Sequence, residues 1–202
     1  ISLKKAVCMA KIENKYNINS IFFILLSSDF YNIFSKNTLN KINKIKSLGH
    51  NIGLHFDETK YKYNNIQEFK EFVYREIDLM NKILGFRIKF VSMHRPSNFV
   101  LKNNIQFDNV INSYSNIFFN KFKYLSDSRM KWKEDVLKIV KNNKFRKLQI
   151  LIHPIWYSKN KKDKKQIFTE FILESKNNIY EQLKNNISEF ENILKKEEIK
   201  KL

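Results

Sequence analysis

Short apolar runs of strand length alternate along this chain with longer stretches whose apolar residues recur at helical spacing, and this alternation constrains the fold most. Residues 20–26 are rich in Ile and Phe and read as a strand buried on both faces. Residues 38–48 repeat Leu39, Ile42, Ile45 and Leu48 on one helical side, and Gly49 follows as a residue that accepts a left-handed backbone. A second strand is expected at Asn51–Phe56, then an amphipathic helix at Ile66–Leu84 closed by Gly85, then a third strand at 88–91. Ser2 caps a first helix running to about Tyr16, with Leu3, Ala6, Val7, Ala10 and Ile12 on its apolar side. Beyond these, 109–122 reads as a strand followed by an irregular segment, 134–142 as a helix and 148–152 as a final strand. The tail 164–202 reads as one long helix or two. Strands alternating with helices of this length imply an α/β fold built on a parallel sheet or barrel with right-handed crossovers. No internal repeat or linker interrupts the pattern, so 1–202 reads as a single domain, with its core in about 1–160 and a helical C-terminal extension over about 163–202.

The composition narrows the function classes. A length of 202 residues, 43% hydrophobic and 14% aromatic, suits one folded domain with its own core. Cys8 is the one cysteine, which excludes an internal disulfide framework; its place on the first helix reads as core. The net charge of +18 raises the question of a nucleic-acid partner. But the excess is nearly all lysine and accompanies Asn and Ile throughout, and its densest stretch, 159–165, lacks the interleaved aromatics and arginines of a single-strand groove. The expectation is a diffuse basic surface and no specific nucleic-acid partner. The longest apolar run, 21–26, is far below the ~20 residues of a spanning helix, so no membrane span is expected. No leader is visible, and a cytoplasmic location is expected.

Rare residues then converge. The chain has three glycines, two prolines and four histidines, and most lie together. Gly49 and Gly53 bracket His50, Gly53 precedes His55 by two, Pro96 follows His94 by two, and Pro154 follows His153 directly. His55, His94 and His153 each end a separate expected strand, and in parallel α/β folds sites assemble at the carboxyl ends of strands. A lone strand-end histidine is most often a hydrogen-bonded structural residue. Three at equivalent positions point to one shared rim. His50, between a helix-ending glycine and a strand, reads as structural.

Residues 49–55, Gly-His-Asn-Ile-Gly-Leu-His, resemble the G-H-E-I-G-x-H signature of the polysaccharide deacetylases, the NodB-like carbohydrate esterases. Other pieces follow in that family's order. Residues 20–26 are similar to its T-F-F strand, Arg95-Pro96 to its arginine motif, Ser126-Asp127-Ser128-Arg129 with Trp132 to its aspartate–tryptophan motif, and Leu151-Ile152-His153-Pro154 to its leucine–histidine motif. The resemblance covers about 1–156 and implies a distorted (β/α) barrel. Two features depart from it. The family's paired-aspartate motif would fall upstream of Ile1, so an incomplete N-terminus is expected, with the apolar edges of 20–26 and 148–152 left open. The second metal histidine would fall at Thr59, which places the chain with a divergent G-L-H-F-D subgroup.

The resemblance implies metal-assisted attack of water on the N-acetyl group of an acylated sugar or polysaccharide. His153 matches the acid that protonates the leaving amine, Arg95 the residue that orients the base, and Asp127 an orienting carboxylate. His55 matches the first metal histidine. His94 and Asp57 are the candidates to complete the set around a divalent ion, zinc in the first instance. For Asp57 the competing role is a turn-initiating aspartate, and for Asp127 a turn former. Trp132 and Trp156 are candidates for a wall of the sugar pocket. The alternatives are a catalytically degenerate carbohydrate-binding domain and, from the charge alone, a basic nucleic-acid-binding protein. Because the base belongs to the missing motif, residues 1–202 alone are expected to release no acetate.

Overall fold

The computed structural model describes residues 2–200 and divides into two compact units, Ile1–Ile155 and Trp156–Leu202. In the first unit α1 (Leu3–Lys15) starts at Ser2, whose hydroxyl accepts the Lys5 N–H. Strand β1 (Ile21–Ile24) leads through a small antiparallel pair, β2 (Ser27–Ser28) and β3 (Tyr31–Asn32), into α2 (Lys36–Ser47). Then come β4 (Asn51–Phe56), α3 (Ile66–Leu84), β5 (Phe90–Met93), α4 (Asn98–Lys102), β6 (Ile111–Asn112) and α5 (Asn116–Lys121). The unit ends with β7 (Lys123–Ser126), α6 (Val136–Lys141) and β8 (Leu148–Leu151). The second unit holds α7 (Lys164–Asn186), opened by a capping box between Asp163 and Gln166, and the short α8 (Phe190–Ile193). Within it Tyr180, Phe190 and Ile199 form a small core.

The main sheet has the order β1-β4-β5-β6 and is parallel throughout. A second parallel pair joins β7 to β8, and the Gln149 amide donates to the Ser113 carbonyl just past β6. The strands thus stand in separate, open sheets, with no closed barrel among the described residues. The alternating pattern sets this outcome: helices fill the crossovers, which forces neighbouring strands to run the same way. Leu54 and Phe56 of β4 and Val91 and Met93 of β5 are fully buried, and the apolar side of α3 (Phe69, Val73, Met80) belongs to the same core. Gly49 and Gly85 both take the left-handed backbone (φ 88° and 72°) that helix ends require. No described helix is long and apolar enough to cross a membrane.

Several expectations need correction. Strand β1 is an edge strand and is not buried on both faces: Phe22 and Ile24 point inward while Ile21 is exposed. Strand β5 begins two residues later than its apolar run, because the Asn81 side chain takes the Ile88 N–H (2.7 Å) and holds it out of the ladder. The segment 109–122 is mostly turn and helix, with only Ile111–Asn112 in the sheet. Cys8 is exposed, because α1 buries Leu3, Ala6 and Ala10 and position 8 falls off that stripe.

Candidate functional site

His55 is the penultimate residue of β4, His94 follows β5, and His153 lies two residues past β8. The sheet positions the first two. His55 is in register with Ser92, and the His94 N–H donates to the Phe56 carbonyl (2.8 Å), extending the β4–β5 ladder by one bond. Their rings meet edge to face with centroids 5.0 Å apart, and His94 Nδ1 lies 3.2 Å from His55 Nε2. At this spacing one imidazole donates and the other accepts, so at least one is neutral. Burial pushes the His55 pKa down from 6.5 to about 3, with the neighbouring His94 as the next cause and His153 adding to the same effect. His94 is also lowered, chiefly by burial and further by Arg95, against the pull of Asp57. His55 Nδ1 is buried without a hydrogen-bond partner.

A second pair forms at the ends of β7 and β8. Asp127 is 2% exposed, and its two oxygens accept the backbone N–H of His153 (3.1 and 3.0 Å). Its Oδ1 also lies 2.6 Å from His153 Nδ1. The buried carboxylate thus fixes the ring and sets Nδ1 as the donor, leaving Nε2 as the nitrogen available for proton exchange. The His153 side chain remains 43% exposed. The turn after Asp127 passes through two consecutive left-handed residues, Arg129 (φ 58°) and Met130 (φ 59°), and Ser126 and Ser128 pair through their hydroxyls across it (2.8 Å). Such conformations cost about 1–3 kcal/mol each in residues other than glycine.

One residue that sequence reasoning missed organises the segment carrying Arg95. Glu58, 4% exposed in the turn after β4, accepts from the Ser97 N–H, the Ser97 hydroxyl and the Tyr63 hydroxyl. It clamps the stretch from His94 to Ser97 onto the end of β4. Its partner is 39 positions away, and a carboxylate beside Asp57 carries no sequence mark that separates it from an ordinary turn acid. Arg95 is exposed and borders a shallow, open hollow of about 590 Å³ with Tyr61, Lys62, Tyr63, Asn64 and Phe99.

The remaining candidates are placed as follows. Asp57 takes the turn-initiating role, its Oδ1 accepting from the Thr59 N–H (3.3 Å) and hydroxyl (2.7 Å). Burial opposes its ionisation, but the Thr59 hydrogen bonds and the nearby His94 and Lys60 outweigh it and lower its pKa. Trp132 is half-buried, in the stretch of chain that leads from Met130 to α6. Trp156, in the second unit, packs edge-on against Phe168 (5.8 Å), with its indole N–H buried and unpartnered. His50, as read from the sequence, is structural: it is 1% exposed, Nδ1 accepts from the Ser20 N–H (3.2 Å) and Nε2 donates to the Ala10 carbonyl (2.9 Å).

The structure therefore brings together His55 with His94, and Asp127 with His153. The 3.2 Å gap between the first two nitrogens is close to the edge of a tetrahedral zinc site, about 3.3 Å for Zn–N bonds near 2.05 Å. Yet among the described residues no three His, Cys, Asp or Glu side chains group to hold an ion. Among the described residues two such donors, His55 and His94, come together and not a full set. No family model matches the chain, and no curated protein matches it.

Proposed function

We propose that this chain carries the acid side of a polysaccharide-deacetylase-like hydrolase, a non-peptide C–N hydrolase that removes an acetyl group from an amino sugar. On this reading the open parallel sheet belongs to a NodB-like distorted (β/α) barrel. The observation that carries the proposal is the Asp127–His153 dyad, held at the ends of β7 and β8. Asp127 holds the ring so that Nε2 of His153 faces outward and can deliver a proton to the departing amine nitrogen. Burial lowers the pKa of both His55 and His94, which favours neutral imidazoles with lone pairs for the carbonyl end of the acetamide. Those two residues would hold a divalent ion, zinc in the first instance, and a bound ion would polarise the acetyl carbonyl. Arg95 stands beside His94 to orient a carboxylate base, which the resemblance assigns to the paired-aspartate motif. Trp132 is the aromatic candidate of the first unit for contact with the sugar.

A second reading has one specific observation in its favour: with no three-ligand group among the described residues, the rim could hold a sugar without turning it over. Acetate release from N-acetylated chitooligosaccharides separates the two, using protein expressed from its whole reading frame and supplied with zinc. The hydrolase reading expects release that falls about 10²–10⁴-fold in His153→Ala, the range for loss of a general acid. Sugar binding without acetate under every divalent metal tried would establish the degenerate binding domain instead.

A further inference from the structure

One stretch of the basic surface is dense. Residues 121–147 carry ten Lys or Arg against three acids, and each acid is already engaged. Asp127 holds His153, Glu134 pairs with Lys123 (2.6 Å), and Asp135 caps α6 by accepting the Lys138 N–H (2.9 Å). Five of the ten, Lys121, Lys123, Lys144, Arg146 and Lys147, lie in or next to the starts of β7 and β8, the end opposite Asp127 and His153. Lys123 and Lys144 both stand over the Phe145 ring, 5.6 and 5.9 Å from its centre, and Lys147 stands over Phe122 at 5.4 Å. Lys141 at the end of α6 and Arg146 in the α6–β8 loop are exposed as well. Directly before that loop, α6 presents Leu137 (73% exposed) and Val140 (51%), three positions apart and so on one side of the helix.

We infer that this end of the first unit docks on an anionic phospholipid surface, with Leu137 and Val140 entering the headgroup boundary and the surrounding Lys and Arg meeting lipid phosphates. The two halves of the patch select the partner. A nucleic acid would use the cations but gain nothing from two exposed aliphatic side chains. Two of the rings there, Phe122 and Phe145, already have lysine ammonium groups over them. A bilayer surface takes both halves at once: apolar tips partition into the acyl boundary while basic residues follow the negative surface potential. Six residues make α6 too short to lie along a membrane as an amphipathic helix, so it acts as a tip carried by the α6–β8 corner. The inference does not depend on the sugar chemistry at the other end.

Co-sedimentation with vesicles of phosphatidylglycerol mixed with phosphatidylcholine, against phosphatidylcholine alone, tests it. We expect binding only to the anionic vesicles. Neutralising Lys144, Arg146 and Lys147 to Gln should weaken it on the order of 100-fold, since each cation near such a surface is worth about fivefold. The double variant Leu137→Ser with Val140→Ser should weaken it by about tenfold or more with every charge kept, from the apolar area withdrawn. Both positions are exposed, so circular dichroism should match the parent. Absence of anionic-lipid binding overturns the inference. So does a serine double variant that binds as the parent does. In that case, equal loss of single-stranded oligonucleotide binding in the Gln variant would mark a general polyanion patch.

Discussion

Substituting Gly53 tests how the strand bearing His55 is seated. Gly53 lies directly across the β1–β4 ladder from Phe23, and that ring covers the glycine. A Cβ there would sit 2.7 Å from two ring carbons of Phe23 and 3.0 Å from the Phe90 carbonyl oxygen of β5. The ring can swing outward, since β1 is an edge strand, but the carbonyl belongs to the ladder and cannot. Overpacking of this kind costs about 1–3 kcal/mol. An alanine also restricts the unfolded chain, which offsets about 0.4–1 kcal/mol. Gly53→Ala should therefore destabilise by about 1–2 kcal/mol, read from the urea midpoint at constant slope. Phe23→Leu withdraws the ring, so in the double variant the Gly53→Ala loss should shrink by roughly 1 kcal/mol. A neutral Gly53→Ala, or a loss unchanged by Phe23→Leu, would refute the crowding argument.

Two further outcomes follow from buried groups. A histidine held neutral by the fold stabilises it fully above the unfolded value of 6.5, and that contribution fades as the pH falls from there towards the folded value of about 3. For His55 alone the stability lost between pH 7 and pH 5 is about 2 kcal/mol at 1.36 kcal/mol per unit, and the lowered His94 acts in the same direction. Urea unfolding in a chelator should show this slope and its reduction in His55→Gln; an unchanged slope would contradict it. Glu58→Gln should cost about 2–3 kcal/mol by weakening the hydrogen bonds from Ser97 and Tyr63, and should speed amide exchange at Ser97. Exchange at the parent rate would show that Glu58 does not clamp this segment.

The elements legible in the sequence were those whose signal is local. Helix α3 carries its full apolar stripe between Asn65, which caps it, and Gly85, which ends it, and β4 is a compact apolar run after a helix stop. Strand β7 was not legible, because Lys-Tyr-Leu-Ser buries only Leu125 and becomes a strand by pairing with β8, more than twenty positions on. The site divides in the same way. Strand ends and rare residues marked His55, His94 and His153. That Asp127 belongs to His153 is set by the β7–β8 register, and that Glu58 belongs to Ser97 is set by the β4–β5 pairing. The basic patch is not marked in the sequence, because which of its cations meet is set by β7 and β8 beginning side by side.

The most direct measurement is a crystal structure of the protein with an N-acetylated chitooligosaccharide. The account predicts density for an acetamide group between the His55–His94 pair and Nε2 of His153, with Asp127 still bonded to Nδ1. Sugar bound away from these four side chains, or an Asp127–His153 pair turned away from His55, would contradict it.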